Sequence, residues 1–133
     1  MDAETRFNLR RIIVWTTAVA LAHFLLGTRT HAVHGLHIIL AGLFLVPILI
    51  GASAFGTRGG VATALAATVL YAAHIVWSWR GSPLGNADQY AMIGVYFIVG
   101  LAAGRLAGIA NTRKWQRDEV IRRSYEASKE QKQ

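Results

Sequence analysis

The chain has 133 residues, of which 53% are hydrophobic and 16% charged, so it is long enough for one domain and too apolar for an ordinary soluble one. It contains no cysteine, which excludes disulfides, iron–sulfur clusters and thiolate metal sites. Its net charge of +7 is compatible with nucleic-acid binding. The basic residues, however, adjoin apolar runs, and basic residues in that position more usually face lipid headgroups. We therefore expect a membrane-embedded helix bundle and no nucleic-acid partner.

Four apolar runs follow one another along the chain. Residues 12–26 form the first, which is short for a span and has the basic start of a signal peptide; because no small-residue cleavage pattern follows it, we interpret it as a retained helix. The others cover residues 36–55, 61–79 and 90–109, close to the roughly 20 residues that cross a bilayer as a helix. The runs predict an all-α fold, with a four-helix transmembrane domain in residues 1–110.

Proline and glycine mark breaks within this pattern. Pro47 lacks a backbone donor and is expected to bend the second helix, as a static kink rather than a hinge. A tight turn bounded by Gly56, Gly59 and Gly60 is expected to join the second and third helices.

The lysines and arginines predict the orientation. Such residues concentrate in cytoplasmic segments. If the N-terminus is cytoplasmic, only Arg29 and Arg80 of the 14 basic residues lie outside. We therefore expect both termini to be cytoplasmic.

This topology places all five histidines in the outer half of the membrane or just above it, on three helices at comparable depth: His23, His31, His34, His37 and His74. Neutral imidazole binds zinc, copper and haem iron, so a shared metal or haem site is one interpretation. The other is a set of hydrogen-bonded interfacial histidines, because an aromatic body with a polar tip suits that depth. The residue pattern favours the second interpretation.

His37 and His74 are expected to approach each other across the turn, with His23 or His34 as a third member. Counted from Arg58 as the centre of the turn, His37 lies 21 residues before it and His74 lies 16 after it. The difference of five residues corresponds to about 7.5 Å along a helix. That offset suits the two ends of a larger ligand better than one small ion.

Gly100, Gly104 and Gly108 stand four apart on one face of the fourth helix. A stripe of small residues permits close helix contact, within the chain or with a second copy, so we expect this face to be packed and the protein to work as a dimer or in a larger membrane complex. No aspartate or glutamate lies within a predicted span, which argues against a proton-coupled transporter.

Residues 111–133 are polar, helix-forming and free of glycine and proline, which predicts a cytoplasmic helical tail. The tail has few apolar residues at coiled-coil spacing. A helix that lies on the membrane surface or docks on a protein is the favoured interpretation, through six side chains: Arg113, Lys114, Trp115, Arg117, Arg122 and Arg123.

The central stretch resembles the four-helix membrane input domain of bacterial sensor histidine kinases over about residues 31–110. The resemblance rests on eight residues: His37, Pro47, Phe55, Gly56, Gly59, Gly60, Tyr71 and His74. It implies a sensor in the bacterial inner membrane that passes a signal to a cytoplasmic helix. These 133 residues contain neither the kinase's phosphoacceptor helix pair nor its ATP-binding domain, so the resemblance implies either a free-standing input module or part of a longer chain.

Two functional hypotheses follow. The first is a non-catalytic signal-input or accessory module. The second is a small membrane subunit of a respiratory or redox complex that holds haem, a zinc or copper ion, or a quinone through the outer histidines.

Overall fold

The computed structural model of the protein describes residues 1–26, 34–78 and 87–130. These residues are helical almost throughout and include no strand, which confirms the all-α prediction. Four helices are assigned: α1 (Ala3–Leu26), α2 (His34–Leu43), α3 (Leu45–Ser78) and α4 (Ala87–Glu130).

Three of the described helical stretches are long and apolar enough to cross a membrane: Ala3–Leu26, Gly35–Val76 and Ala87–Lys129. Their outer surfaces carry large apolar side chains. Leu25 and Val76 are 81% and 80% exposed, and other large apolar side chains are exposed along the same helices, among them Ile13, Val69 and Ile98. Length, composition and these exposed side chains together suggest a membrane protein.

Helix α1 begins well before the first apolar run. The Asp2 carboxylate accepts a hydrogen bond of 2.6 Å from the Thr5 backbone amide, which caps the helix. The same hydrogen bond lowers the pKa of the Asp2 carboxyl. The basic N-terminal segment therefore forms the first turns of α1 instead of a separate extension.

The boundary between α2 and α3 falls at Phe44, three residues before Pro47. Proline has no amide hydrogen to donate to the carbonyl of Leu43, so the regular hydrogen-bond pattern stops there. The Phe44 amide instead bonds to the Ala41 carbonyl at 3.1 Å, and the Tyr96 hydroxyl of α4 donates to the same oxygen at 2.7 Å. The helix is therefore interrupted just before Pro47, and the Tyr96 hydroxyl of α4 donates a hydrogen bond to a carbonyl at the interruption.

Helix α3 reverses direction at Gly56. This residue has φ 64° and ψ −150°, a conformation that is essentially restricted to glycine. The two arms, residues 45–55 and 57–78, then lie against each other, because a side chain at Gly51 would collide with Thr63 from the other arm. Together, α2 and the first arm run antiparallel to the second arm.

Helix α4 packs against this hairpin through glycine. A Cβ atom on Gly100 would lie 2.7 Å from the carbonyl oxygen of Gly60, and one on Gly104 would lie 2.5 Å from the Cα atom of Thr57. Gly108 has no neighbour this close among the described residues. The first two glycines of the stripe therefore serve contact within the chain, and they give no argument for a second copy.

The core between the helices is built mainly from small and aromatic side chains, including Ala64, Ala67, Phe44, Tyr71 and Tyr96. The ring centroids of Phe44, Tyr71 and Tyr96 lie 5.8–6.4 Å apart in edge-to-face contacts, a favoured arrangement for aromatic pairs. This layer supports the end of the bundle where the histidines meet.

Helix α4 has 44 residues and so extends about 66 Å, roughly twice the thickness of a bilayer's hydrocarbon core. It continues without a break across the predicted boundary between residues 110 and 111. The described part of the tail, as far as Glu130, is thus continuous with a core helix.

Candidate metal centre

Three histidines meet at the end of the bundle opposite Gly56. His23 lies three residues before the end of α1, His37 three residues after the start of α2, and His74 four residues before the end of α3. Each comes from a different helical segment, so the cluster forms only when the bundle is assembled. Five histidines were predicted as site residues, and the structure describes the side chains of three of them. His31 and the side chain of His34 lie outside the described part of the chain.

The three rings are in direct contact. One ring nitrogen from each of His23, His37 and His74 lies within 4.8 Å of the other two. The His23 centroid is 4.2 Å from that of His37 and 4.4 Å from that of His74, while the His37 and His74 centroids are 5.1 Å apart. All three are at least 97% buried. The expected approach of His37 to His74 is observed.

The expected offset of five residues between His37 and His74 is wrong. The chain reverses at Gly56 and not at Arg58. Measured from Gly56, His37 lies 19 residues before the turn and His74 lies 18 after it. The remaining difference of one residue is about 1.5 Å of helix, which brings both rings to the same depth.

Gln89, in the first turn of α4, connects two sides of the cluster. Its Oε1 atom lies 3.0 Å from Nε2 of His37 and also accepts a hydrogen bond from the Tyr71 hydroxyl. An amide oxygen only accepts hydrogen bonds, so His37 must carry its proton on Nε2. The lone pair of His37 is then on Nδ1. Histidines that bind metals are commonly oriented by such a hydrogen bond from the other ring nitrogen.

The sequence reasoning missed Gln89. It stands one residue before the fourth apolar run as we delimited it, where a polar side chain is typical of a helix boundary. The sequence does contain one signal for it. Gln89 is an uncharged amide at the depth predicted for the histidines, where it could hydrogen-bond to one of them.

His23 is the least satisfied member of the cluster. Neither of its ring nitrogens has a hydrogen-bond partner among the residues that the structure describes, although the side chain is only 1% exposed. Its neighbours are rings: Tyr71 at 5.3 Å and Phe44 at 6.1 Å between centroids. Leaving a buried polar group without a partner costs about 1–3 kcal/mol. A ligand bound at His23 would remove that cost.

The arrangement suits one metal ion better than a haem. Three neutral imidazoles that converge from different helices are a usual ligand set for zinc or copper. A haem held between two of these histidines would have to separate their rings by the macrocycle, whereas the rings here touch. The contact distances therefore favour a small ligand over a haem.

The basic side chains predicted as a partner or membrane surface lie on the exposed, distal part of α4. Trp115 is 77% exposed. Arg122 and Arg123 both donate hydrogen bonds of 2.9 Å to Glu119, and these bonds lower the pKa of the Glu119 carboxyl. Exposed pairs of this kind stabilise a helix by only a few tenths of a kcal/mol. They therefore stabilise the distal part of α4 slightly and do not identify a binding partner.

No family model, curated protein or solved structure matches this chain.

Proposed function

We propose that the chain is a non-catalytic membrane input module whose ligand is a transition-metal ion bound by His23, His37 and His74. The observation that carries the proposal is the convergence of three buried imidazoles, one of which has no hydrogen-bond partner among the described residues. Burial without a partner is costly, and an ion bound by the cluster would give His23 a partner.

Helix α4 is the proposed output. An ion bound to His37 would shift or restrain the His37 ring. That ring is hydrogen-bonded to Gln89, which lies in the first turn of α4. Because α4 is one helix as far as Glu130, a small shift or stiffening at Gln89 is transmitted to the basic tail. The tail then presents an altered surface to a partner or to lipid headgroups. This mechanism agrees with the sensor role that the resemblance implies.

The proposal includes four membrane crossings with both termini in the cytoplasm of a bacterium. The reversal at Gly56 supports two crossings between residues 34 and 78, and the distribution of basic residues supports the orientation. Reporter fusions after Gly81 and after Gln133 are expected to report opposite sides of the inner membrane. A fusion after Arg58 is the control and should agree with the one after Gln133. Signals from the same side at Gly81 and Gln133 would reject the topology.

Metal retention tests the ligand itself. Purified protein in lipid nanodiscs, loaded with a transition metal and desalted, is expected to retain about one ion per chain by elemental analysis. His37→Phe keeps an aromatic ring and removes the ligand nitrogens, so we expect at least a tenfold loss of retained metal. Thr16→Val removes a different buried polar group from α1 and is expected to retain metal as the parent does. Equal retention by the parent and the His37 variant would contradict the proposal.

A further inference from the structure

We propose that an open groove at the Gly56 end of the bundle binds the phosphate headgroup of an anionic phospholipid. The groove has a volume of about 700 Å³ and lies between the hairpin turn and α4, at the end opposite the histidines. The inference goes beyond the proposed function, because it requires a membrane around the bundle but neither the ion nor the histidine cluster. The lining of the groove includes Thr57 from the second arm and four residues of α4: Arg105, Gly108, Ile109 and Arg113.

The groove exists because α4 continues beyond the hairpin. A Cβ atom on Gly104 would lie 2.8 Å or less from backbone atoms of Gly56 and Thr57, so the two elements are in contact there. One turn later, a Cβ atom on Gly108 would have no described neighbour within 4 Å outside the adjacent backbone. The hairpin has already turned back at Gly56, and Gly108 adds no side chain, so the space beside α4 stays open. Its volume is within the range of about 300–1,000 Å³ that is usual for ligand sites.

The groove lies at the depth where a bilayer changes from hydrocarbon to headgroups. The apolar run of α4 begins directly after Gln89, at the opposite end of the bundle. Arg105 and Arg113 lie 16 and 24 residues beyond Gln89, which corresponds to about 24 and 36 Å along the helix. A hydrocarbon core roughly 30 Å thick therefore ends between the two arginines. A phospholipid in the groove would place its phosphate between them and its acyl chains beside exposed apolar side chains such as Leu101.

The charge of the groove is complementary to a phosphate. No acidic residue stands between Asp88 and Asp118 in the sequence. In the described part of the chain, neither Arg105 nor Arg113 forms an ion pair, so both guanidinium groups are available to a ligand. Arginine binds phosphate oxygens through paired, charge-assisted hydrogen bonds. Because the groove opens at the level of the headgroups, the anion closest to these side chains is a lipid phosphate rather than an acidic segment of a protein.

Lipid retention by the intact protein tests the site. The chain in maltoside micelles is titrated with phosphatidylglycerol or with phosphatidylcholine, and native mass spectrometry counts the lipids that stay bound. We expect one tightly bound phosphatidylglycerol per chain and binding of phosphatidylcholine that is about tenfold weaker, because choline offsets the phosphate charge. Arg105→Gln and Arg113→Gln are each expected to weaken phosphatidylglycerol binding about tenfold. Arg58→Gln is the matched control: it removes one charge at the same end from a side chain outside the groove and should bind as the parent does.

Gly108→Leu tests the groove without a change of charge. Leucine would fill the space, so we expect the preference for phosphatidylglycerol to be lost while circular dichroism shows a folded helix bundle.

Three outcomes would overturn the proposal. Equal retention of both lipids by the parent, or an equal loss in the Arg58 variant, would show a general attraction of lipid to basic side chains. Displacement of the lipid by millimolar inorganic phosphate would assign the groove to a free anion. A dimer in lipid-free micelles that Gly108→Leu disperses would assign it to a second copy of the chain. The lipid comparison on the parent needs no variant, and none of these results depends on metal retention, so the two proposals can fail separately.

Discussion

Replacing Gly104 by leucine is expected to abolish the packing of α4 on the hairpin. A Cβ atom at this position would lie 2.5 Å from Cα of Thr57, 2.7 Å from its amide nitrogen and 2.8 Å from the carbonyl oxygen of Gly56. All three atoms belong to the backbone, so no change of side-chain rotamer can relieve the collision. Ordinary overpacking costs about 1–3 kcal/mol, and a collision between two backbones should exceed that range. Thermal unfolding in detergent and yield from membranes measure the loss.

Gly108→Leu is the matched control, one helical turn further along the same face. No described atom outside the neighbouring backbone lies within 4 Å of a Cβ atom there, and the residue lines an open groove of about 700 Å³. Leucine favours a helix over glycine by somewhat less than about 1 kcal/mol, so we expect unchanged or slightly higher stability. Equal damage at the two positions would show that the stripe contacts something other than the hairpin.

Replacing His23 by phenylalanine is expected to stabilise the protein in the absence of metal and to abolish the stabilisation that metal gives to the parent. Without metal, the variant should be more stable than the parent, because a buried polar ring that lacks a hydrogen-bond partner among the described residues becomes an apolar ring of similar size. Removing such a group is expected to return about 1–3 kcal/mol. With metal at about 100 times its dissociation constant, the parent gains about 2.7 kcal/mol and the variant gains nothing. Thermal unfolding with and without the ion measures both differences.

Thr16→Val provides the comparison for His23. The Thr16 hydroxyl is also buried on α1 without a hydrogen-bond partner in the described part of the chain, but Thr16 is not one of the three clustered histidines. Its removal should stabilise the protein somewhat while the metal-dependent gain persists. If His23→Phe keeps that gain as well, His23 is a packing residue and the site must be reassigned.

The helical fold was predictable because apolar runs of membrane length leave few alternatives in lipid. The position of the reversal was not. Gly56, Gly59 and Gly60 all suggest a turn, and Arg58 is the midpoint of Gly56–Gly60. The backbone instead turns where glycine can adopt positive φ, which depends on how closely the two arms pack.

The cluster was predictable in outline and not in detail. The depth of His37 and His74 follows from the order of the helices, so their approach could be anticipated. The direct contact of His23 with His37 and His74 depends on how α1 packs against α3. The residue periodicity within one helix does not predict that packing. The part played by Gln89 depends on which side chains face it from Tyr71 and His37. Such a partnership exists only in the assembled bundle.

His37 and His74 lie at nearly equal distances from Gly56, and this limits how many residues can separate each histidine from the turn. One added residue between Gly56 and His74 would turn the imidazole about 100° around the helix and displace it about 1.5 Å. The same addition on both arms would keep the two rings level but rotate each away from the interior. Length changes in residues 38–55 and 57–73 are therefore tolerable only in near-whole turns and in matched pairs. In these arms, the number of residues is constrained as strictly as their identity.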